Sequence, residues 1–321
     1  FMQHDALTTE LPIGVRRVPM RRTLTTASAA IIVPFTTQEL FVPGGNWYGV
    51  NAQSSNAVVA DRTKTTNGNG FILGTSGSGK SVFGKMEIAN VFLSRPADDI
   101  IVIDPEREYE PVISAFNGST IRVDTGSPDR VNPMDIELEA AGDADDPITT
   151  KTQFVLSMVN VLIGGHDGLS AKQRSLVDRA AGTLYRRYAA EGGQMPTLVE
   201  LRDALAATGD PDGTELATAL EIYTTGSLGA FAQRTNVDVH NRLISYDISS
   251  LGSELRTFGM LVILDQIWNR VVRNRALGKR TWLYIDEFHL LFSSPFSAEY
   301  FRSLYKRARK WGLVPTGITQ N

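Results

Sequence analysis

The chain has 321 residues, a formal net charge of −3, 42% hydrophobic residues and 21% charged residues. This composition is typical of a globular protein with one large or two modest domains and excludes a disordered chain. The lack of cysteine excludes disulfides, thiol catalysis and cysteine-based zinc sites, and the four histidines show no metal-ligand spacing. No apolar run approaches the length of a membrane span. Because the balance is acidic, any nucleic-acid contact must come from a local basic patch.

The first part of the chain is predicted to be β-rich. Residues 29–35 are typical of a strand, and short apolar pieces at 48–50 and 57–60 are separated by Gly, Asn and Ser turn signals. Residues 65–70 (Thr-Thr-Asn-Gly-Asn-Gly) predict a turn into the next strand. We therefore predict a small β-rich segment over residues 1–62.

Residues 74–81 read Gly-Thr-Ser-Gly-Ser-Gly-Lys-Ser, a complete phosphate-binding loop of the form G-x-x-x-x-G-K-[ST]. The loop stands between an apolar strand pattern at 71–73 and an apolar helical pattern at 82–92, which is the context that the motif requires. Glycines allow the backbone to turn its N–H groups toward phosphate oxygens. Lys80 is predicted to reach the β- and γ-phosphates, and the Ser81 hydroxyl to hold Mg²⁺. The predicted nucleotide-binding residues are Gly74, Thr75, Ser76, Gly77, Ser78, Gly79, Lys80, Ser81 and Val82.

A second buried strand is predicted at 99–103, where a continuous aliphatic run indicates a parallel strand covered on both faces. It leads into Asp104-Pro-Glu-Arg-Glu-Tyr109, and ligand chemistry in open parallel sheets occurs at this end of the strands. Asp104, Glu106 and Glu108 are therefore candidate site acids. Another strand is predicted at 120–123.

The character of the sequence changes between residues 135 and 235. An acidic loop at 135–146 comes first. Two capping boxes then predict helices, one opened by Ser170-Ala-Lys-Gln173 and one by Thr197-Leu-Val-Glu200. A third helix is predicted near 214–223, after an Asp-Pro-Asp-Gly turn. We predict that this block is an all-helical insertion.

The strand pattern returns at 243–248 and is followed by a helix at 254–274 that is apolar almost all round. The apolar strand at 282–285 then ends in two acids. In phosphate-binding-loop ATPases, an acid at this position helps to hold Mg²⁺, and the next acid can polarise the attacking water as a general base. Asp286 and Glu287 fit these two roles.

The last predicted elements are a helix at 301–311 and a strand at 313–320. The helix carries an apolar stripe and a basic face. If the basic face is functional, Arg309 and Lys310 are candidates to stabilise charge at the nucleotide of a neighbouring subunit or to contact DNA phosphates. Gln320, at the polar tip of the strand, is a candidate to sense the γ-phosphate or to orient water.

Four stretches together resemble the large cytoplasmic ATPase of conjugative type IV secretion systems, within the HerA/FtsK-type branch of RecA-like motors. They are Gly74–Ser81, Asp104–Tyr109, Ile285-Asp-Glu-Phe-His-Leu290, and Lys306-Arg-Ala-Arg-Lys-Trp-Gly312 leading to Thr319-Gln-Asn321. The upstream Arg22–Thr26 and Pro34–Phe35 are also similar to the family. The match spans nearly the whole chain in the right order.

The resemblance implies an α/β RecA-like core, with a mostly parallel sheet, helices on both faces and a helical insertion. Core parts are expected at 63–134 and 236–321, with the insertion at 135–235 between them. The insertion accounts for the 205 residues between Ser81 and Asp286. The resemblance also implies that the chain continues beyond Asn321.

The resemblance further implies an ATP hydrolase that uses Mg²⁺ and works as a homo-oligomer, either a hexamer or another oligomer. Its expected place is cytoplasmic, peripheral at the cell membrane, where other secretion subunits are partners. Lys80, Ser81, Asp286 and Glu287 carry over from the family motifs directly. Two alternatives remain open: a coupling protein or translocase that grips DNA itself, and a scaffold subunit that uses ATP as a switch without turnover.

Overall fold

The computed structural model describes residues 2–11, 13–19, 23–26, 28, 38–124, 126–138, 146–165, 167–237, 241–293 and 295–320. The chain forms two compact units, residues 1–41 with 49–58, and residues 42–48 with 59–321. The predicted strand at 29–35, most of the acidic loop at 135–146, and the motif residues Arg22, Pro34, Phe35 and Asn321 lie outside the described residues.

The first helix, α1 (Gln3–Glu10), was not predicted and buries no residue. Strands β1 (Asn46–Val50) and β2 (Ala57–Ala60) form a two-stranded sheet, close to the predicted β pieces. The large unit then contains the following elements: β3 (Gly70–Leu73), α2 (Lys80–Ser94), β4 (Asp99–Asp104), α3 (Glu110–Ala115), β5 (Ser119–Arg122), α4 (Pro147–Ile163), α5 (Ala171–Glu191), α6 (Leu198–Ala206), α7 (Pro211–Thr224), β6 (Leu243–Asp247), α8 (Ser253–Ala276), β7 (Thr281–Ile285), α9 (Pro295–Trp311) and β8 (Leu313–Thr319).

Six strands form a parallel sheet in the order β3-β8-β7-β4-β6-β5. Alternate residues of the strands face two separate cores, as expected for a sheet covered on both sides. On one face Ile100 and Trp282 pack with residues of α2 and α3, such as Ile88. On the other face Ile101 and Leu283 pack with α8, α9 and the helices of the insertion. The predicted α/β core is confirmed.

Within its described residues, 135–138, 146–165 and 167–235, the predicted helical block contains four α-helices, α4 to α7. Both predicted capping boxes are present: Ser170 and Gln173 begin α5, and Thr197 and Glu200 begin α6, each side chain bonding the backbone of the other residue. Asp146 caps α4 by accepting the N–H groups of the first turn. The division of the chain at 62, 134 and 235 stays a prediction. Among the described residues, no helix is both long and apolar enough to cross a membrane.

Candidate nucleotide-binding site

The loop between β3 and α2 has a backbone that depends on its glycines. Gly77 and Gly79 have φ angles of +74° and +91°, in the left-handed region that side chains disfavour. A Cβ placed on Gly74 would lie 2.5 Å from the Oγ of Ser78. The N–H of Ser78 donates to the carbonyl of Thr75 at 3.2 Å, which closes the loop. The shape of the loop is therefore set by its own residues.

Lys80 and Ser81 lie in the first turn of α2, directly after this loop. The residue that precedes the helix, Gly79, offers no side-chain cap, so the first N–H groups of the helix remain available to an anion. The Lys80 ammonium lies over the loop and donates to the carbonyl of Thr75 at 2.9 Å. Val82 follows with its side chain exposed.

A buried network that the sequence did not reveal joins α2 to the sheet. Arg62 donates through Nη1 to Oε1 of Glu87 on α2 at 2.9 Å, and to the hydroxyl of Thr316 on β8 at 2.7 Å. Its Nη2 donates to the carbonyl of Gly68 at 2.7 Å, and the Tyr48 hydroxyl donates to Glu87 at 2.6 Å. Because these residues are far apart in the chain and form no motif, no sequence signal marks the network.

The acidic side of the site is built where three neighbouring strands, β6, β4 and β7, reach their carboxyl ends. Asp247 ends β6, Asp104 ends β4 directly opposite it, and Asp286 follows β7. The N–H of Asp286 donates to the carbonyl of Ile103 on β4 at 3.1 Å. Three aspartates therefore stand in a row at one edge of the sheet.

Asp286 is only 5% exposed. This burial raises the pKa of its carboxyl to about 7, although the backbone N–H of Glu287 donates to it at 3.0 Å and opposes the shift. The negative charges of Glu287, Glu108 and Asp104 raise the pKa further. The site thus gathers negative charge that a cation would relieve.

Asp104 shapes the loop that follows it. Its two carboxylate oxygens accept the backbone N–H groups of Glu108 and Tyr109, each at 2.9 Å. Burial nevertheless raises the pKa of Asp104. Of the other two candidate acids, Glu108 is half-buried and close enough to affect Asp286, whereas Glu106 is exposed.

Asp247 was not singled out from the sequence. It accepts from Nε of Arg107 at 2.6 Å and from the hydroxyl of Ser249 at 2.6 Å, and these bonds together with the Arg107 charge hold its pKa low against the effect of burial. Asp247 could have been identified by the same sequence signal as Asp104 and Asp286, namely an aspartate at the end of an apolar strand.

Glu287 has a φ of +48°, a left-handed conformation that costs a residue with a side chain about 1–3 kcal/mol. Its Oε1 accepts from the amide of Gln320 at 3.1 Å. Its Oε2 lies 2.9 Å from Nδ1 of His289, which is also 3.2 Å from the hydroxyl of Thr319. The structure thus brings Gln320 to the predicted general base and adds His289, which the sequence left without a role.

Arg309 and Lys310 lie away from this edge. They are exposed in the last turn of α9, and β8 starts directly beyond that helix at Leu313. Gln320 follows the other end of this strand of 7 residues. The two cations are thus about 20 Å from Gln320 and do not join the site of their own chain.

The donors of the site fit Mg²⁺. A hydroxyl from Ser81 and a carboxylate from Asp286 are oxygen ligands, which Mg²⁺ prefers, and it usually completes its shell with water and nucleotide oxygens. β3 and β7 are separated only by β8, so the strands that lead to Ser81 and Asp286 run about 10 Å apart. The described residues contain no group of three or more His, Cys, Asp or Glu that could hold a metal by itself.

Solved structures of other proteins share this fold. VirB4 of Thermoanaerobacter pseudethanolicus is 23% identical, with a TM-score of 0.76 over 89% of this chain and 79% of its own. The plasmid coupling protein TrwB in complex with ADP and Mg²⁺ is 15% identical, with a TM-score of 0.53 over 85% of this chain and 68% of its own. TrwB also appears in complex with the GTP analogue GDPNP, at a TM-score of 0.50. No protein-family model and no curated protein matches the chain.

At these identities the similarity shows the fold, and the fold is the one that the sequence resemblance implied. The phosphate-binding loop, the acids after β7 and Gln320 after β8 lie at the same carboxyl edge of this sheet. The roles of the individual residues rest on their chemistry and geometry.

Proposed function

We propose that the chain is an ATP-hydrolysing motor subunit of a conjugative type IV secretion system, powering channel or pilus assembly or substrate transfer. The observation that carries the proposal is the bond of 3.1 Å between the Gln320 amide and the Glu287 carboxylate. The bond supports a role for Gln320 in orienting water beside Glu287 as the general base, next to Asp286 as a Mg²⁺ ligand and one strand away from the phosphate-binding loop. The fold similarity to VirB4 supports the same proposal.

In this proposal the loop N–H groups and Lys80 bind the phosphates, and Ser81 and Asp286 hold Mg²⁺. Bound Mg²⁺ neutralises charge on the β- and γ-phosphate oxygens. Glu287 accepts a proton from water while the water oxygen forms its bond to the γ-phosphorus. The bond from that phosphorus to the bridging oxygen breaks, leaving ADP and phosphate. Gln320 orients the water, and catalysis rests on positioning and charge stabilisation.

The basic end of α9 fits a role outside its own subunit. Residues 300–321 contain Arg302, Lys306, Arg307, Arg309 and Lys310 but no acid, in a chain with net charge −3. Both Arg309 and Lys310 are exposed, which supports a contact with the nucleotide of a neighbouring copy in a homo-oligomer. We propose an oligomer on the cytoplasmic side of the membrane, with other secretion subunits as partners.

The same cations favour a second candidate function, a coupling protein that grips DNA. Contacts from this basic patch would be electrostatic, so DNA would bind and stimulate ATPase activity with a steep salt dependence. The similarity to the plasmid coupling protein TrwB supports this candidate too.

ATPase activity measured against protein concentration, with and without DNA, tests these proposals together. A motor with shared sites gives a specific activity that rises with concentration, and Lys80→Ala reports contaminating activity. Stimulation by DNA that disappears with salt favours the coupling protein. Tight ATP binding with turnover no higher than that of Lys80→Ala would defeat both and leave a nucleotide-switched scaffold.

A further inference from the structure

The carboxylate of Glu287 is held from two sides. Oε1 faces the amide of Gln320, which follows β8, the strand paired with the phosphate-binding strand β3. Oε2 faces Nδ1 of His289, which lies in a short 3-10 helix at Phe288–Ser293. Gln320 and His289 come from different elements, and Gln320 lies on the side of the phosphate-binding strand.

The geometry defines the tautomer of His289. At neutral pH a carboxylate is only an acceptor, so a nitrogen 2.9 Å from Oε2 of Glu287 must carry the hydrogen. The hydroxyl of Thr319, 3.2 Å from the same nitrogen, can then only share this hydrogen as a second acceptor. The ring is therefore set as an Nδ1–H donor to the far oxygen of the carboxylate.

We propose that His289 is a positioning residue for the Glu287 carboxylate, holding Oε2 so that Oε1 faces Gln320 and the attacking water. This inference rests on the proposed hydrolysis. Without this bond the carboxylate rotates about its last torsion and Oε1 loses its fixed direction. His289 touches neither water nor phosphate in this role, because it acts through Glu287.

A residue that only packs would behave differently. The His289 side chain is 42% exposed, so its replacement leaves the cores of the sheet intact. A packing role makes all replacements of similar size equivalent. A positioning role depends on whether a donor remains at the place of Nδ1.

Three substitutions separate these cases. The amide nitrogen of His289→Asn can occupy the place of Nδ1, that of His289→Gln the place of Nε2, and His289→Ala offers no donor. We expect His289→Asn to keep most of kcat, and the Gln and Ala variants to lose about tenfold, in the range that misplacement of a catalytic group produces. Binding of Mg²⁺-ATP, measured with a fluorescent analogue, should not change. Circular dichroism during heating controls for folding.

The same variants in a Glu287→Gln background test whether the effect passes through Glu287. If the effect passes through Glu287, His289→Ala should not lower the residual turnover of the Glu287→Gln variant any further, because the carboxylate that His289 positions is absent. A full additional loss in that background would overturn the proposal. So would equal kcat values for the Asn and Gln variants.

A measurement without turnover completes the test. Long-range ¹H–¹⁵N correlation spectra of the imidazoles should show the Nδ1–H tautomer for one of the four histidines, and His289→Asn identifies that signal. Glu287→Ala should shift it. An Nε2–H tautomer for His289 would overturn the proposal even if ATP is hydrolysed. If the wild-type chain shows no turnover that depends on Lys80, the proposed hydrolysis is wrong. The spectrum would then test only whether His289 contacts Glu287.

Discussion

The phosphate-binding loop and the acidic end of the site lie along one edge of the sheet but are built in different ways. Residues 75–79 of the loop are all exposed, and the loop is closed by bonds among its own residues. The acids of the other region are buried: Asp104, Asp286 and Glu287 are 1%, 5% and 9% exposed. Their hydrogen bonds connect β4, β6, β7 and β8 or the residues that directly follow these strands. The loop takes its shape from local sequence, whereas the acidic end takes its properties from distant neighbours.

Because of this difference, we expect substitutions in the two regions to affect different properties of the protein. Changes in the loop should alter binding and leave the rest of the sheet intact, because few contacts extend outward. Changes at the acidic end should alter chemistry, stability and pH dependence together, because each acid there has several partners. The following predictions test this contrast, from the largest effect to the smallest.

The largest effect is expected for Glu287→Gln compared with Lys80→Ala. Both should reduce ATP turnover, and loss of a general base costs about 10²–10⁴-fold. Glu287→Gln should keep ATP binding, because its side chain has no place in the loop, whereas Lys80→Ala should weaken it. Steady-state kinetics and equilibrium binding of a nucleotide analogue measure the two effects. Near-normal turnover in both variants, at matched oligomer size, would contradict the assigned roles.

The next effect concerns the support beneath the loop. Arg62→Met leaves Glu87 buried at 2% exposure without its cation, and breaking a buried ion pair in this way costs about 3–5 kcal/mol of unfolding free energy. The double variant Arg62→Met with Glu87→Leu should lose less than the single one, because no charge is left unpaired. Urea unfolding of both variants provides the comparison. Equal losses would show that the pair itself is not what matters.

The pH dependence of stability should come from the acidic end. The pKa of Asp286 is raised from its ordinary 3.8 to about 7, so its contribution to folding is fully present below pH 4 and is lost as the pH rises through 7. Since one pKa unit corresponds to about 1.4 kcal/mol, the free energy of unfolding without nucleotide or Mg²⁺ should fall by roughly 3–4 kcal/mol over that window.

Asp286→Asn is the control for this effect, because an amide keeps the shape and an acceptor for the Glu287 N–H but does not titrate. Its stability should fall less between pH 4 and 7 than that of the wild type. Parallel curves for the two proteins would rule out Asp286 as the source.

The smallest effect is expected in the loop itself. Gly77→Ala forces a Cβ into a φ of +74°, where nothing lies within 4 Å of it, so the penalty is backbone strain alone, about 1 kcal/mol. Ser76→Ala, beside it and also exposed, is the matched control without this strain. Thermal unfolding should separate the two variants slightly, and nucleotide affinity more clearly. A Gly77→Ala variant that matches Ser76→Ala in both would show that the loop can adopt another backbone.

The extent to which the sequence predicts this molecule follows from the same contrast. The loop could be predicted from the sequence because Gly74, Gly79 and Lys80 act within a few residues of one another. The capping boxes at Ser170 and Thr197 could be predicted for the same reason. The row of aspartates was only partly foreseen, since Asp104 and Asp286 stood out and Asp247 did not.

Two features were beyond the sequence altogether. The Arg62 network joins residues up to 254 positions apart, and the His289–Glu287–Gln320 contacts depend on a left-handed backbone at a glutamate. Neither feature produces a periodic pattern or a fixed residue spacing in the sequence. Side-chain partners across strands are decided by register and packing, which a single sequence does not encode in a readable form.

The pairing of β3 with β8 also sets the order of events during synthesis. Gly70 lies opposite Thr316 in the sheet, so the strand before the phosphate-binding loop gains this neighbour only after residues 71–316 have been made. At roughly 5–20 residues per second, the ribosome needs about 12–50 s to cover that interval. During this time the nascent loop has no finished sheet behind it and no Gln320 in front of it. The β3 side of the nucleotide site is therefore completed only when β8 enters the sheet.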